Sequence, residues 1–166
     1  MGLCAAMTVT WLKKSIASNG TGVLYATELG SQHLMAIVQG ACRTRSMPGS
    51  KGKDRLHVVI PLLHSQSLKA CGGITGKGLI APDPIITWLL SESGYSLLSF
   101  GPPAGNGHMI GMRCEGSILQ MFDANQALFQ YSEVSSFKQH MQELFSQEYL
   151  NHTGGKWGVF RVISDV

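Results

Sequence analysis

Two residues that could share a proton stand near the ends of one stretch, GNGHMIGMRCEGSILQMFDAN, spanning positions 105–125: His108 and Asp123. The stretch reads as two short strands joined by a tight turn. With Glu115-Gly116 as the two turn residues, His108 and Asp123 fall directly opposite each other on one face, their β-carbons about 4.5–5.5 Å apart. A carboxylate so placed fixes the tautomer and orientation of an imidazole. A base of that kind serves a hydroxyl or a thiol, and the chain holds four cysteines, Cys4, Cys42, Cys71 and Cys114. Cys4 has the best local physics. It opens a helical pattern, where unpaired amides and the positive end of the helix dipole stabilise a thiolate, and a neighbouring imidazolium would lower its pKa further. Cys71, ahead of two glycines, is the reserve nucleophile. Cys42 closes a helical pattern, where the dipole opposes a thiolate, and Cys114 sits beside the turn. Plainer roles fit the same residues: a polar pair on a solvent face, and a small buried thiol in a helix.

The elements that must position these groups can be read from periodicity. Leu3 to Ser18 is a predicted helix with Cys4, Met7, Thr8, Trp11 and Leu12 along one face and Lys13 and Lys14 outward, stopped by Asn19-Gly20. A second helical pattern runs from Val23 to Val38, with Leu24, Leu34, Ile37 and Val38 as core candidates, and residues 43–55 form a polar, basic loop. Leu56 to Leu63 is apolar and fits either a buried strand or a helix. CGGITGKG, residues 71–78, is expected to be a flexible loop. It imitates a phosphate-binding loop but has Cys71 where the first glycine belongs and Gly78 where a metal-binding Ser or Thr should follow Lys77. Residues 82–94 predict a short helix with Asp83 as its cap, Pro84 in the first turn and Gly94 at its end. Tyr95 to Phe100 and Leu128 to Tyr131 predict strands. Ser136 and Gln139 have capping-box spacing ahead of a helix whose apolar face is Phe137, Met141, Leu144, Phe145 and Tyr149, ending near Leu150. KWGVFRVI closes the chain as a strand. Helices first and strands mostly later predict an α+β domain with helices packed on an antiparallel sheet.

Composition bounds the function. The chain has 166 residues, 44% of them hydrophobic and 14% charged, which predicts one globular domain burying roughly two thirds of its unfolded surface. Net charge is +3, and only Arg43, Arg45, Lys51, Lys53 and Arg55 cluster, so no basic stripe with interleaved aromatics points to nucleic acid. The cysteines are too widely spaced for a zinc site, and His33, His57 and His64 have no ligand spacing, so neither metal nor cofactor is expected. No apolar run is long enough to cross a bilayer, and no signal-peptide core follows the N-terminus.

GLCAAMTVTWLKK resembles the nucleophile helix of papain-like cysteine proteases, and in particular the YopT/AvrPphB-like proteases that bacteria inject into host cells. GHMIGMR, followed by LQMFDANQALFQYSEVSSFKQHMQELFSQEYL, is similar to the second half of that family, and KWGVFRVI to its last strand. The resemblance runs from Cys4 to Val162, and residues 40–95 contribute almost nothing to it. It implies a papain-like fold with Cys4 as nucleophile, His108 as general base and then acid, and Asp123 as the orienting carboxylate. Asn125 matches the family's supporting Asn, while Ala124 replaces its Pro. The Cys4 backbone amide would give one oxyanion donor. The second usually comes from a polar side chain shortly before the cysteine, where this chain has only Met1, Gly2 and Leu3, so an upstream segment or another side chain is expected to supply it. The resemblance further implies acyl-enzyme cleavage of a host protein by a monomer secreted from bacteria into the host by a type III-like route. Two alternatives stay open, a glutamine deamidase on the same fold and a non-enzymatic interaction domain with an inert site. Acylation of Gly2 and Cys4 as a membrane anchor is disfavoured by Ala6, where the myristoylation pattern has Ser or Thr.

Overall fold

The computed structural model describes residues 4–20, 56–104 and 107–166. The helical pattern at 23–38, the basic loop at 43–55, Cys42 and His33 lie outside the described residues. Among the described residues six strands form one sheet: β1 (Leu68–Lys77), β2 (Gly94–Phe100), β3 (His108–Glu115), β4 (Ile118–Asp123), β5 (Ala127–Tyr131) and β6 (Lys156–Ser164). Their order is β1-β6-β2-β3-β4-β5, and every neighbouring pair is antiparallel. Among the described residues four α-helices accompany it, α1 (Cys4–Ala17), α2 (Leu56–His64), α3 (Pro82–Ser91) and α4 (Val134–Glu143). This is the expected α+β arrangement of helices on an antiparallel sheet.

Both faces of the sheet are covered, which explains why β2 and β3 are buried at nearly every position rather than alternating. Leu97, Met109, Phe122 and Phe160 point to the face packed by α1 and α2. Their chain neighbours Leu98, Ile110, Met121 and Val159 point to the face packed by α3 and α4.

Helix α1 is clamped at three points. Trp11 is buried and stacks on Phe122 with centroids 5.5 Å apart and planes 9° apart. A side chain at Gly111 would place its β-carbon 2.7 Å from the Trp11 ring, so glycine is what allows the helix to lie this close to β3. The Thr8 hydroxyl donates to the Met109 carbonyl at 3.2 Å. At the far end, buried Arg113 of β3 donates to the Asn19 carbonyl at 3.1 Å, a cation against the negative end of the helix dipole. The outcome is a helix whose N-terminus is delivered to the end of the sheet where β3 begins.

Several sequence expectations are corrected. Residues 71–77 are not a flexible loop but part of β1, paired with β6 and bulged between Ala70 and Gly73. Tertiary pairing overrides the low strand propensity of glycine here, and Gly73 and Gly76 leave room for the Phe160 and Trp157 rings. The ambiguous run at 56–63 is helix α2. Asp83 is not the cap of α3: Pro82 already occupies the first turn, the cap position is Ala81, and Asp83 instead pairs with Lys138 of α4 at 3.2 Å. The capping box at Ser136 does not form, since α4 starts three residues earlier, with Glu133 at the cap position. Its α-helical part also stops at Glu143, giving way to a π turn over Leu144–Glu148 and a short 3-10 turn over Leu150–His152.

Candidate active site

The hairpin of β3 and β4 turns on Gly116-Ser117 rather than Glu115-Gly116, because Glu115 pairs with Ile118. Gly116 holds φ +58°, the positive value that the first position of a primed turn demands and that glycine supplies without strain. The register therefore slips by two residues, and Asp123 stands opposite Ile110 instead of His108. A slip of two preserves the face. His108 and Asp123 become diagonal neighbours, and their side chains meet: His108 Nε2 lies 2.8 Å from Asp123 Oδ1, with both groups buried.

Cys4 completes the cluster from the other side of the sheet end. It occupies the first position of α1, is partly exposed, and hydrogen-bonds the His108 side chain. With Nε2 engaged by Asp123, Nδ1 is the nitrogen left for the sulfur. Burial works against a charged thiolate here, but the hydrogen bond and positive charge of His108, with the backbone N–H groups of Met109 and Ala5, outweigh it and lower the Cys4 pKa. Burial likewise opposes a charged imidazole, yet the bonds and charges of Asp123 and Cys4 push His108 up to about 9. Asp123 is held below the ordinary carboxylate value against its own burial by His108, Tyr149 and the Asn125 amide. The arrangement favours a thiolate beside an imidazolium, oriented by a carboxylate, a pairing suited to nucleophilic attack on a carbonyl.

The other residues singled out from sequence fall into place around this centre. Asn125 supports the carboxylate through its backbone, whose N–H donates to Asp123 Oδ1 at 3.0 Å, while the Asp123 carbonyl accepts from Gln126 N–H at 3.0 Å to close the turn between β4 and β5. Its side chain reaches the Tyr149 hydroxyl. Cys71 stands exposed on β1, three strands away from β3, and is not brought to His108. Cys114 is buried in the face covered by α3 and α4, and its thiol is pushed up to about 11 by that burial.

One contact was hidden from the sequence. Tyr149 reads there as one of five apolar positions of a helix, but in the structure its hydroxyl donates to Asp123 Oδ2 at 2.6 Å and lies 3.2 Å from His108 Nε2. Its ring stacks on the imidazole with centroids 4.8 Å apart. The available signal was chemical rather than periodic, because a tyrosine buried on an apolar face needs a partner for its O–H.

No protein-family model matches the chain, and no curated protein sequence matches it. Among solved structures the chain is similar to the Pseudomonas avirulence protein AvrPphB, with a TM-score of 0.67 and 22% identity, over 98% of this chain and 92% of that one. The two share a fold.

Proposed function

We propose that the chain is a papain-like cysteine protease of the YopT/AvrPphB-like kind, a single domain acting as a monomer on a host protein after delivery from a bacterium. The observation that carries the reading is the run of contacts from Cys4 at the start of α1, through His108, to Asp123. The likeness in fold to an avirulence protein supports it. The Cys4 thiolate adds to a peptide carbonyl carbon, and the carbonyl oxygen takes up the negative charge beside the Cys4 backbone N–H, which has no partner within the helix. The His108 imidazolium gives its Nδ1 proton to the departing amine nitrogen, the C–N bond breaks, and a thioester remains. Water, deprotonated by His108, then attacks the thioester and the sulfur leaves as the thiolate. Asp123 keeps Nε2 protonated and the ring aligned through both halves.

The test is site-resolved alkylation of the cysteines from pH 4 to 9 in the native chain and in His108→Ala. Cys4 is expected to react fast below about pH 6, and slowly in the variant. An ordinary thiol response, with a pKa near 8.5 in both proteins, would sink the reading. Incubation with a peptide library then separates chemistries, since new peptide termini that vanish in Cys4→Ala mean proteolysis. Conversion of glutamine to glutamate with intact backbones means that the same centre deamidates.

A further inference from the structure

We propose that Tyr149 is a positioning residue that locks the Asp123–His108 pair, and that the π turn ending α4 is the device that puts it there. The inference rests on the reading of Cys4, His108 and Asp123 as one reacting centre, and it concerns how that centre is held rigid.

Asp123 Oδ1 is filled by His108 and by the Asn125 N–H, and Tyr149 donates to Oδ2. The carboxylate is thus held at both oxygens and cannot rotate about its terminal bond without breaking a charge-assisted hydrogen bond. The imidazole is held as well. Tyr149 lies on one side of it at 4.8 Å and 29°, and Phe100 meets it edge-on at 5.6 Å. Phe100 also packs edge-on against Tyr149 at 5.5 Å, so the three rings brace one another. A ring flip of His108, which would turn Nδ1 away from Cys4, would break its bond to Asp123 and disturb this packing.

The backbone shows how Tyr149 arrives. If α4 continued as an α-helix, the Tyr149 N–H would bond the carbonyl four residues back. It bonds Leu144 O instead, five residues back, at 2.7 Å. The extra residue in the turn rotates everything after it by about 100° around the helix axis. Leu144 and Phe145 remain in the core, and the phenol, itself 3% exposed, is carried over His108 and Asp123. Single π turns inside α-helices recur at functional sites, and this one has a geometric reason to exist. Burial and the adjacent carboxylate raise the Tyr149 pKa, which keeps its proton in place to be donated.

Tyr149→Phe keeps the ring and its packing and removes only the O–H. The readout is the NMR titration of the His108 imidazole, which needs no reactive thiol, made in four proteins: native, Tyr149→Phe, Asp123→Ala, and the double variant. With the hydroxyl gone, Asp123 swings out of line and the His108 midpoint is expected to fall by about one pH unit or more. In the Asp123→Ala background the same substitution should shift the midpoint far less, because the tyrosine acts mainly through the carboxylate and only its 3.2 Å contact with Nε2 remains. A midpoint that stays or rises in Tyr149→Phe overturns the proposal, and so does an equal shift in both backgrounds, which would mark a general packing role. Cys4 alkylation on the same samples keeps the two failures apart. Loss of fast, His108-dependent reaction in the native chain would count against the protease reading, whereas an unchanged titration in Tyr149→Phe would count against the lock alone.

Discussion

Asp123 is the residue on which the centre's ionisation turns, and its two neighbours in chemistry, Asn and Ala, should separate its charge from its shape. An amide oxygen in Asp123→Asn can still accept from Nε2, so the ring stays aligned while the negative charge is lost. The imidazolium is then less favoured, and for the proposed peptide hydrolysis the alkaline limb of kcat/KM should move below the value of about 9 to which His108 is pushed. Asp123→Ala loses charge and alignment together and is expected to lower kcat/KM roughly a hundredfold or more. If the two variants have superimposable pH profiles, Asp123 acts through shape alone. Cys4, His108 and Asp123 could be singled out from sequence as candidates because each carries its chemistry in its type, and the structure brings the three into contact. The role of Tyr149 was not, since a phenol on an apolar helical face looks like core until its hydroxyl partner is known.

Among the elements, α1 and the β3–β4 hairpin decide whether the cluster assembles. Gly111 is the narrowest point between them, with no room for a β-carbon under Trp11. Gly111→Ala is expected to cost about 1–3 kcal/mol by overpacking, measured by urea unfolding. It should also slow Cys4 alkylation at low pH, because α1 is lifted from β3 and Cys4 with it. A variant that loses stability but keeps a fully reactive Cys4 would mean that the helix tilts about its N-terminus rather than lifting. The hairpin also shows where sequence reasoning gains and loses resolution. Turn choice was off by one residue and register by two, yet the face was right, because strand parity survives an even slip. Gly-Ser was in fact the better two-residue turn signal. β1 could not be recognised from its own residues, since its glycines make sense only against the Phe160 and Trp157 rings that the partner strand supplies. The start of α4 was likewise misplaced by a cap pattern that the fold does not use.

For the molecule as a whole, the ion pair has an unusual effect on the pH dependence of stability. His108 has its folded pKa raised from 6.5 to about 9, so alone it stabilises the fold fully below pH 6.5 and loses that contribution as pH rises through 9. Cys4 has its folded pKa lowered from 9.0, so its contribution is full above 9 and is lost as pH falls. Below pH 9, where the two windows overlap, their slopes oppose each other: the folded state keeps a proton on the imidazole that the unfolded state gives up, and gives up one on the thiol that the unfolded state keeps. The pH dependence of native stability there should therefore be weaker than either group alone would produce. Cys4→Ala removes the opposing slope, and although His108 then loses the part of its raised pKa that Cys4 supplies, Asp123 still holds it up, so stability should decline more steeply from pH 6.5 upward than in the native chain, in urea titrations across that range. An unchanged profile in the variant would show that His108 does not retain its proton in the fold. The placement of the cluster also has a consequence in time. Cys4 and its partner His108 are separated by most of the chain, and the helix carrying the sulfur is made long before β3 and β4 exist to meet it. Until they do, the sulfur has no imidazole beside it, so the contacts that lower its pKa arrive only once β3 has been made and folded against α1.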